Sequence, residues 1–375
     1  MFRPLNAAVI GTGLIGRVHV RSARLAGAQV LGVAASTAQR SIEAAASMNV
    51  PKGYATALEA VRDPDVDVIH ICTPNTLHVE VARAALEAGK HVVCEKPLAT
   101  SLSDAQALAK LAAAKGLVAT VPFVNRYHPM VREARARVQA DETGRLFFIH
   151  GSYLQDWLLN PGDTNWRVDA AAGGSSRAFA DIGSHLCDLL EWVSGERFVS
   201  LIAVLGRPIA QRASAEGRVA FAKADSSSID KNVDTEDLAA LLARTDKGTL
   251  ASLTVSQVAA GHKNRLAFEI DGAQQSVRFD SELAEQLWIG RREDTRLLVR
   301  DPSVGAAEQR RLNILPPGHS QGWGDAFAAF VNDTYAAIRG QRPDGLPNFA
   351  DGARSMSLVE AVLRSSSSNA WTDIE

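Results

Sequence analysis

Residues Val9–Val20 read VIGTGLIGRVHV, and the reading of this stretch decides the fold. An apolar run ends in Gly11, and Gly13 and Gly16 follow it at the spacing G-x-G-x-x-G. Alone the pattern is weak, because a plain strand-to-helix turn uses glycine too. Its placement makes it specific: the glycines come straight after a strand-like run and open a helix, as in a dinucleotide-binding βαβ unit. Gly11 then supplies the tight turn, Gly13 lets the backbone approach a pyrophosphate, and Gly16 lets helix and strand pack closely. The amides around Leu14 and Ile15, at the helix N-terminus, would meet the anion.

Outward from this loop, short apolar runs alternate with longer amphipathic ones as far as Val121. Strands are expected at residues 7–10, 30–34, 68–72, 91–94 and 117–121, with helices at 37–48, 77–88 and 103–115. Gly89 and Gly116 stand where glycines end helices. This is an α/β, doubly wound parallel sheet of Rossmann type. After Val121 the period changes, and from about Leu146 to Ile289 most apolar runs alternate as half-buried antiparallel strands do. A helix is expected from about Ser176 to Ser194, closed by Gly195, with further helices at 323–339 and 350–364. The segment 206–234 is polar and reads as a long excursion. The expected organisation is a dinucleotide-binding domain over residues 1–122. A substrate-binding and oligomerisation α+β domain with a large, mainly antiparallel open sheet would follow over 123–375, its last helices able to pack back on the first domain.

Composition narrows the partners. The 375 residues carry a formal net charge of −2, so no basic field invites nucleic acid or an anionic membrane, and a small molecule is the expected ligand. Cys72, Cys94 and Cys187 sit in apolar runs without metal-ligand spacing, which predicts reduced, buried thiols, no metal, and a cytoplasmic protein. The opening MFRPLNAAVIG shows no cleavable leader pattern, and no apolar run reaches membrane-spanning length. At the end of the second strand an NAD site usually carries an acidic residue for the ribose 2′-hydroxyl. Ala35, Ser36 and Thr37 stand there instead, with Arg40 following. Hydroxyls and a guanidinium suit a 2′-phosphate, so the cofactor is NADP or NAD with a lean to NADP.

The stretch CTPNTLHVEVARAALEAGKHVVCEKPLATS, from Cys72 to Ser101, resembles the Gfo/Idh/MocA family, the glucose-fructose oxidoreductase and inositol dehydrogenase type of enzyme. The resemblance rests on Thr73-Pro74-Asn75, His78 and Glu95-Lys96-Pro97, on the glycine loop with His19, and on GGSSRAFADIGSHLCDLL further on. It covers nearly the whole chain in order. Within the family, Tyr153–Asp169 and KNRLAFEIDGAQQSV look like the branch of levoglucosan dehydrogenase-like sugar dehydrogenases, while the missing acid after the second strand is similar to NADP-using anhydrofructose reductases. The resemblance implies hydride transfer between NAD(P) and a carbon of a sugar, anhydrosugar or cyclic polyol. It implies cofactor contacts at Thr73, Pro74, Asn75, His78, Glu95, Lys96 and Pro97, and a homodimer or homotetramer assembled on the open sheet.

Hydride transfer also needs a group that moves the hydroxyl proton. Lys96 stands at the carboxyl end of a strand, where open α/β sheets place ligands, and a cis bond at Pro97 would aim it. Asp181 and His185 are four apart on an expected helix, so both would lie on one face and form an acid-base pair. The resemblance makes Lys96, Asp181 and His185 the catalytic set, expected to converge on one substrate, with Asp188 structural. Asn125, Arg126 and Tyr127 lie just past the last Rossmann strand, and Gln155, Trp157, Trp166 and Arg167 in a polar-aromatic loop. All seven are substrate-contact candidates, though core packing suits the two tryptophans equally well. Two other functions share these features: a glycoside hydrolase using transient oxidation, and a non-catalytic cofactor sensor.

Overall fold

The computed structural model describes residues 3–213 and 229–375. The chain divides into two compact units: one runs up to Val124 and takes in Gly324–Met356, the other comprises Asn125–Trp323 and Ser357–Glu375.

The first unit is a parallel sheet of β1 (Asn6–Ile10), β2 (Gln29–Ala34), β3 (Lys52–Tyr54), β4 (Val68–Ile71), β5 (His91–Cys94) and β6 (Ala119–Thr120), in spatial order β3-β2-β1-β4-β5-β6. Strand order reverses between β1 and β4, and the crevice beyond their carboxyl ends is where such sheets hold a ligand. β4 is buried along its whole length, as a strand covered on both faces must be. The connecting helices are α1 (Leu14–Leu25), α2 (Ala38–Ser47), α3 (Ala57–Arg62), α4 (His78–Glu87) and α5 (Leu102–Lys115). Hydroxyls start three of them: Thr37, Thr56 and Ser101 accept the backbone N–H of Arg40, Glu59 and Asp104. Thr37 is therefore the cap of α2 and not its first residue. Gly116, with φ of 64°, ends α5 as expected. The β3–α3 segment was not expected, since a three-residue strand and a six-residue helix are too short to show a period.

The second unit opens with α6 (Pro129–Gln139), also unanticipated, which has Pro129 at its first turn. Then come β7 (Leu146–Leu154), the short α7 (Ala170–Gly173), α8 (Ser184–Ser194), β8 (Phe198–Gly206), β9 (Gln211–Ala213), β10 (Ile229–Asn232), β11 (Leu238–Thr245), β12 (Leu250–Ser256), β13 (Arg265–Gly272), β14 (Ser276–Asp280), β15 (Gln286–Gly290) and β16 (Thr295–Val299). After α9 (Ala307–Arg311) come α10 (Trp323–Ile338) and α11 (Phe349–Ser368), of which Gly324–Met356 belongs to the first unit, and the two-residue β17 (Thr372–Asp373) then completes the large sheet of the second. That sheet has nine strands in the order β16-β15-β14-β13-β7-β12-β11-β8-β17, antiparallel except where β12 runs parallel to β7. β9 and β10 form a separate antiparallel pair. They flank the polar excursion, of which residues 214–228 lie outside the described residues.

One face of the large sheet packs on α8. A Cβ on Gly151 of β7 would come within 2.8 Å of Leu190 and 3.1 Å of Leu186, so the missing side chain is what lets α8 lie this close. The opposite face carries Ile202 and Val204 of β8, Leu242 of β11, Leu250 of β12 and Phe148 of β7, brought together by cross-strand register. Leu242 is 51% and Val204 65% exposed.

Candidate active site

The glycine loop of the first unit has the geometry its sequence predicts. Gly11 has a φ of 98°, and a Cβ there would lie 2.2 Å from the Cys72 carbonyl oxygen; one on Gly16 would lie 1.9 Å from the Gly11 oxygen. Both glycines are packing requirements. Gly13 differs, because a Cβ on it would meet nothing within 4 Å, and no side chain caps the helix it begins. The first amides of α1, with Leu14 and Ile15, thus border open space with the positive end of the helix dipole behind them. Nearby, Thr73 Oγ1 is buried without a hydrogen-bond partner, at the end of β4. A dinucleotide fits these residues: its pyrophosphate suits the bare amides, and its polar groups would answer the Thr73 hydroxyl. At the tip of β2, Arg40 donates to Ser36 Oγ at 3.1 Å, so guanidinium and hydroxyl already form a pair there, with Thr37 beside them.

Beyond β4 and β5 the two quoted motifs lock together. Pro74 and Asn75 start a short 3-10 turn, and Asn75 is buried. His78 is fully buried, with Nδ1 2.7 Å from the Pro97 oxygen and Nε2 2.9 Å from the Thr73 oxygen. Burial pushes its pKa below the ordinary histidine value, against the upward pull of the two carbonyls that face its ring nitrogens. The sequence reading grouped His78 with the cofactor contacts, but its ring meets the protein's own backbone and clasps the two loops. Lys96 is half-buried, joined to Pro97 by a cis peptide bond, and its N–H donates to Glu95 Oε2 at 3.1 Å. Glu95 in turn holds His19 at 3.0 Å.

In the second unit a polar cluster gathers at one end of β7, β12 and β13. Tyr153 and Gln155 come from the end of β7, Gln257 from just past β12, and Asn264 from just before β13. Register places these side by side, since Leu154 pairs with Ser256 on one flank and Arg265 on the other. Asp181 accepts Gln257 Nε2 at 2.9 Å on one carboxylate oxygen and faces Arg167 Nε at 3.4 Å with the other. The Arg167 guanidinium lies 4.5 Å over the Trp166 ring. Gln155 donates to Asn264 Oδ1 at 2.7 Å. The Tyr153 ring is 6.4 Å from that of His185; burial first, then the Asp181 charge, pushes its hydroxyl pKa up, so the hydroxyl stays a donor. Carboxylate, imidazole, phenol and three amides make a patch suited to a polyhydroxylated ligand.

Asp181 and His185 are not on a single α-helical face as expected. Residues Phe179–Gly183 form a π-helical turn, and regular α8 begins only at Ser184. Upstream, the Glu236 carboxylate accepts Ser176 Oγ and the backbone N–H of Arg177 and Phe179, at 2.7, 3.0 and 2.9 Å. Asp237, fully buried, pairs with Arg177 and with Arg212, and Arg212 also donates to the Asn160 and Asp163 carbonyls. Through Arg212 this carboxylate also ties down the loop bearing Trp157 and Trp166.

Of the other substrate candidates, Arg126 pairs through its guanidinium with buried Asp188, Tyr127 is buried with Arg132 stacked 4.8 Å over its ring, and Asn125 is buried. Trp157 is 37% exposed and Trp166 half-buried. Sequence reasoning missed Gln257 and Asn264 entirely and gave Tyr153 no role. The only signal was a polar residue at the edge of an apolar strand, which most strands show. Among the described residues no His/Cys/Asp/Glu group could hold a metal ion, and no helix is long and apolar enough to cross a membrane.

Comparison with known proteins agrees with this geometry. Residues 5–123 match the oxidoreductase family with an NAD-binding Rossmann fold, and residues 131–278 the GFO/IDH/MocA C-terminal domain. The levoglucosan dehydrogenase of Pseudarthrobacter phenanthrenivorans is 30% identical, over 99% of this chain and 98% of its own. A structure of levoglucosan dehydrogenase in complex with NADH and levoglucosan superposes with a TM-score of 0.89 at 28% identity, and an oxidoreductase domain protein from Kribbella flavida with 0.90 at 29%, each covering 100% of both chains. With glycine loop, nucleotide-binding sheet and second-domain sheet all matched along its length, the chain belongs to the GFO/IDH/MocA family of NAD-binding oxidoreductases.

Proposed function

We propose that the protein is an NAD(P)-dependent dehydrogenase that oxidises a hydroxyl-bearing carbon of an uncharged sugar, anhydrosugar or cyclic polyol, or reduces the matching ketone. The observation that carries this reading is the Asp181 cluster, where hydrogen-bonding groups of both kinds surround a carboxylate beside an aromatic face. Its cations support an uncharged ligand over a phosphorylated one: Arg167 faces Asp181, Lys231 pairs with Asp169 and Lys263 with Asp156. Bound NAD(P) would supply the acceptor for the hydride leaving the carbinol carbon. Lys96 Nζ holds and polarises the hydroxyl, His185 takes its proton as the C=O bond forms, and Asp181 orients both the imidazole and the sugar. Gln257 and Arg167 hold Asp181 in place.

The Ser36–Arg40 pair and the absence of a carboxylate at the tip of β2 favour NADP over NAD. The apolar open face of the large sheet favours a homo-oligomer built on it, and three free, buried cysteines suit a reducing, cytoplasmic setting. The test follows reduced-nicotinamide absorbance with each cofactor against monosaccharides, anhydrosugars, inositols and sugar phosphates. Turnover of an uncharged sugar is expected, and Lys96→Met should lower it by about 10²- to 10⁴-fold while leaving cofactor binding intact. No absorbance change with any compound would overturn the reading. Glycoside cleavage without net cofactor reduction would replace it with the hydrolase alternative.

A further inference from the structure

The first unit buries an unbroken chain of hydrogen bonds that the chemistry above does not use. The Tyr335 hydroxyl of α10 lies 2.8 Å from His70 Nε2 in β4, His70 Nδ1 lies 2.9 Å from His19 Nδ1 in α1, and His19 Nε2 lies 3.0 Å from Glu95 Oε1. The other Glu95 oxygen accepts the Lys96 N–H. Tyr335, His70 and His19 have no solvent exposure, and Glu95 has 8%. The rings meet edge to face, with Phe327 closing the far side of His19. A parallel strand buried on both faces wants only apolar side chains, and His70 interrupts the run of Val68, Ile69 and Ile71. Burying an imidazole there costs free energy unless both nitrogens are satisfied, and this chain satisfies them.

Burial, with the His19 ring adding to it, holds His70 well below the ordinary histidine range, so its ring is neutral and has one N–H. Of its two contacts, with His19 Nδ1 and with the Tyr335 hydroxyl, His70 therefore donates in one and accepts in the other. A carboxylate accepts, so His19 Nε2 donates to Glu95, and burial keeps the Tyr335 hydroxyl protonated. In either direction the chain ends on the carboxylate beside Lys96.

We propose that His19, His70 and Tyr335 are positioning residues that fix the Glu95 carboxylate and, through it, the backbone of Lys96. The proposal rests on the reading that Lys96 handles the reacting hydroxyl. A loose Glu95 would let the turn at Lys96 drift, and small displacements of a positioned group cost rate rather than affinity.

Tyr335→Phe deletes only the distal hydroxyl, far along the hydrogen-bond chain from Lys96. In the full-length protein, labelled with ¹⁵N at histidine and lysine, it should shift the His70 and His19 imidazole signals and speed hydrogen exchange at the Lys96 amide. It should also lower kcat roughly 2- to 10-fold, the range of one hydrogen bond, with KM and NADH affinity unchanged. Imidazole signals that move while the Lys96 amide and kcat stay fixed would reduce the chain to packing and overturn the proposal. Should Tyr335→Phe fail to fold, His70→Asn against His70→Leu decides: the amide should restore Lys96 protection and the isobutyl group should not, and equal behaviour of the two overturns it. The amide readout needs no substrate, so it stands even if no sugar is turned over and the dehydrogenase reading fails.

Discussion

Substituting the three motif glycines one at a time should separate folding from cofactor binding. Gly13 has a φ of −68°, ordinary for any residue, and a Cβ on it meets nothing within 4 Å. Gly13→Ala should therefore leave stability within about 0.5 kcal/mol of the parent. The added methyl projects into the space where backbone amides would meet a pyrophosphate. Losing one hydrogen bond to a charged group, about 1.5–3 kcal/mol, weakens binding roughly 10- to 100-fold. Gly11→Ala acts on the fold instead. At a φ of 98° an L-residue is strained, and its Cβ would lie 2.2 Å from the Cys72 oxygen and 2.4 Å from the Cys72 carbon, backbone atoms that cannot rotate aside. The strain of about 1–2 kcal/mol and a steric term of about 1–3 kcal/mol sum to roughly 2–5 kcal/mol of lost stability. Urea denaturation without cofactor and fluorescence titration with NADH measure the two effects separately. If Gly13→Ala unfolds as readily as Gly11→Ala, or binds NADH like the parent, the division of labour argued from these contacts is wrong.

Gln257→Leu removes the donor to Asp181 Oδ2 and should lower kcat/KM roughly 10- to 100-fold with the fold intact by circular dichroism; an unchanged value would remove Gln257 from the site. Arg40→Ala should raise the KM for NADP about 10-fold and leave that for NAD alone, and equal effects on both would end the case for a 2′-phosphate site. Leu242→Lys places a charge in the open sheet face and should lower the assembly mass in sedimentation velocity, whereas a parent that already sediments as a monomer would refute the homo-oligomer. Asp63 titrates below the ordinary carboxylate value, chiefly through the Tyr54 hydroxyl and then through the Asp65 N–H. Because the folded pKa is the lower one, its contribution is complete above about pH 4 and is lost as pH falls through the folded value. Tyr54→Phe should thus be destabilised at pH 7 and converge with the parent in acid, a trend read from urea midpoints; a constant gap would assign the effect to packing.

Much of the first unit was legible because its rules are local. A buried parallel strand is a short apolar run, Gly116 ends a helix where it stands, and the glycine loop declares its turn. The motif residues Lys96, Asp181 and His185 were likewise visible, although their partners were not. Gln257 meets Asp181 from 76 residues away and Tyr335 meets His70 from 265 away, so no window of sequence holds both members of either pair. The π turn hid for another reason: its five residues are too few to show a period of their own, and FADIG has no composition that marks it. The partner of Arg126 was equally hidden: a polar residue after a Rossmann strand reads as a ligand contact, and its acid, Asp188, lies 62 residues further on.

That π turn lies between two independent anchorages. At its start and just before it, Phe179, Ser176 and Arg177 are pinned to Glu236 and Asp237 at the head of β11; after it, Leu186 and Leu190 seat α8 in the hollow at Gly151. A helix of fixed pitch joining both points would have to satisfy two phases with one rotation, and the wider turn takes up the remainder. Asp181 and His185 consequently answer to different supports. Repacking beneath α8 can retune the imidazole while the carboxylate keeps its place, and altering the arginine anchorage can do the converse, which lets the two ends of the pair drift separately as substrates change.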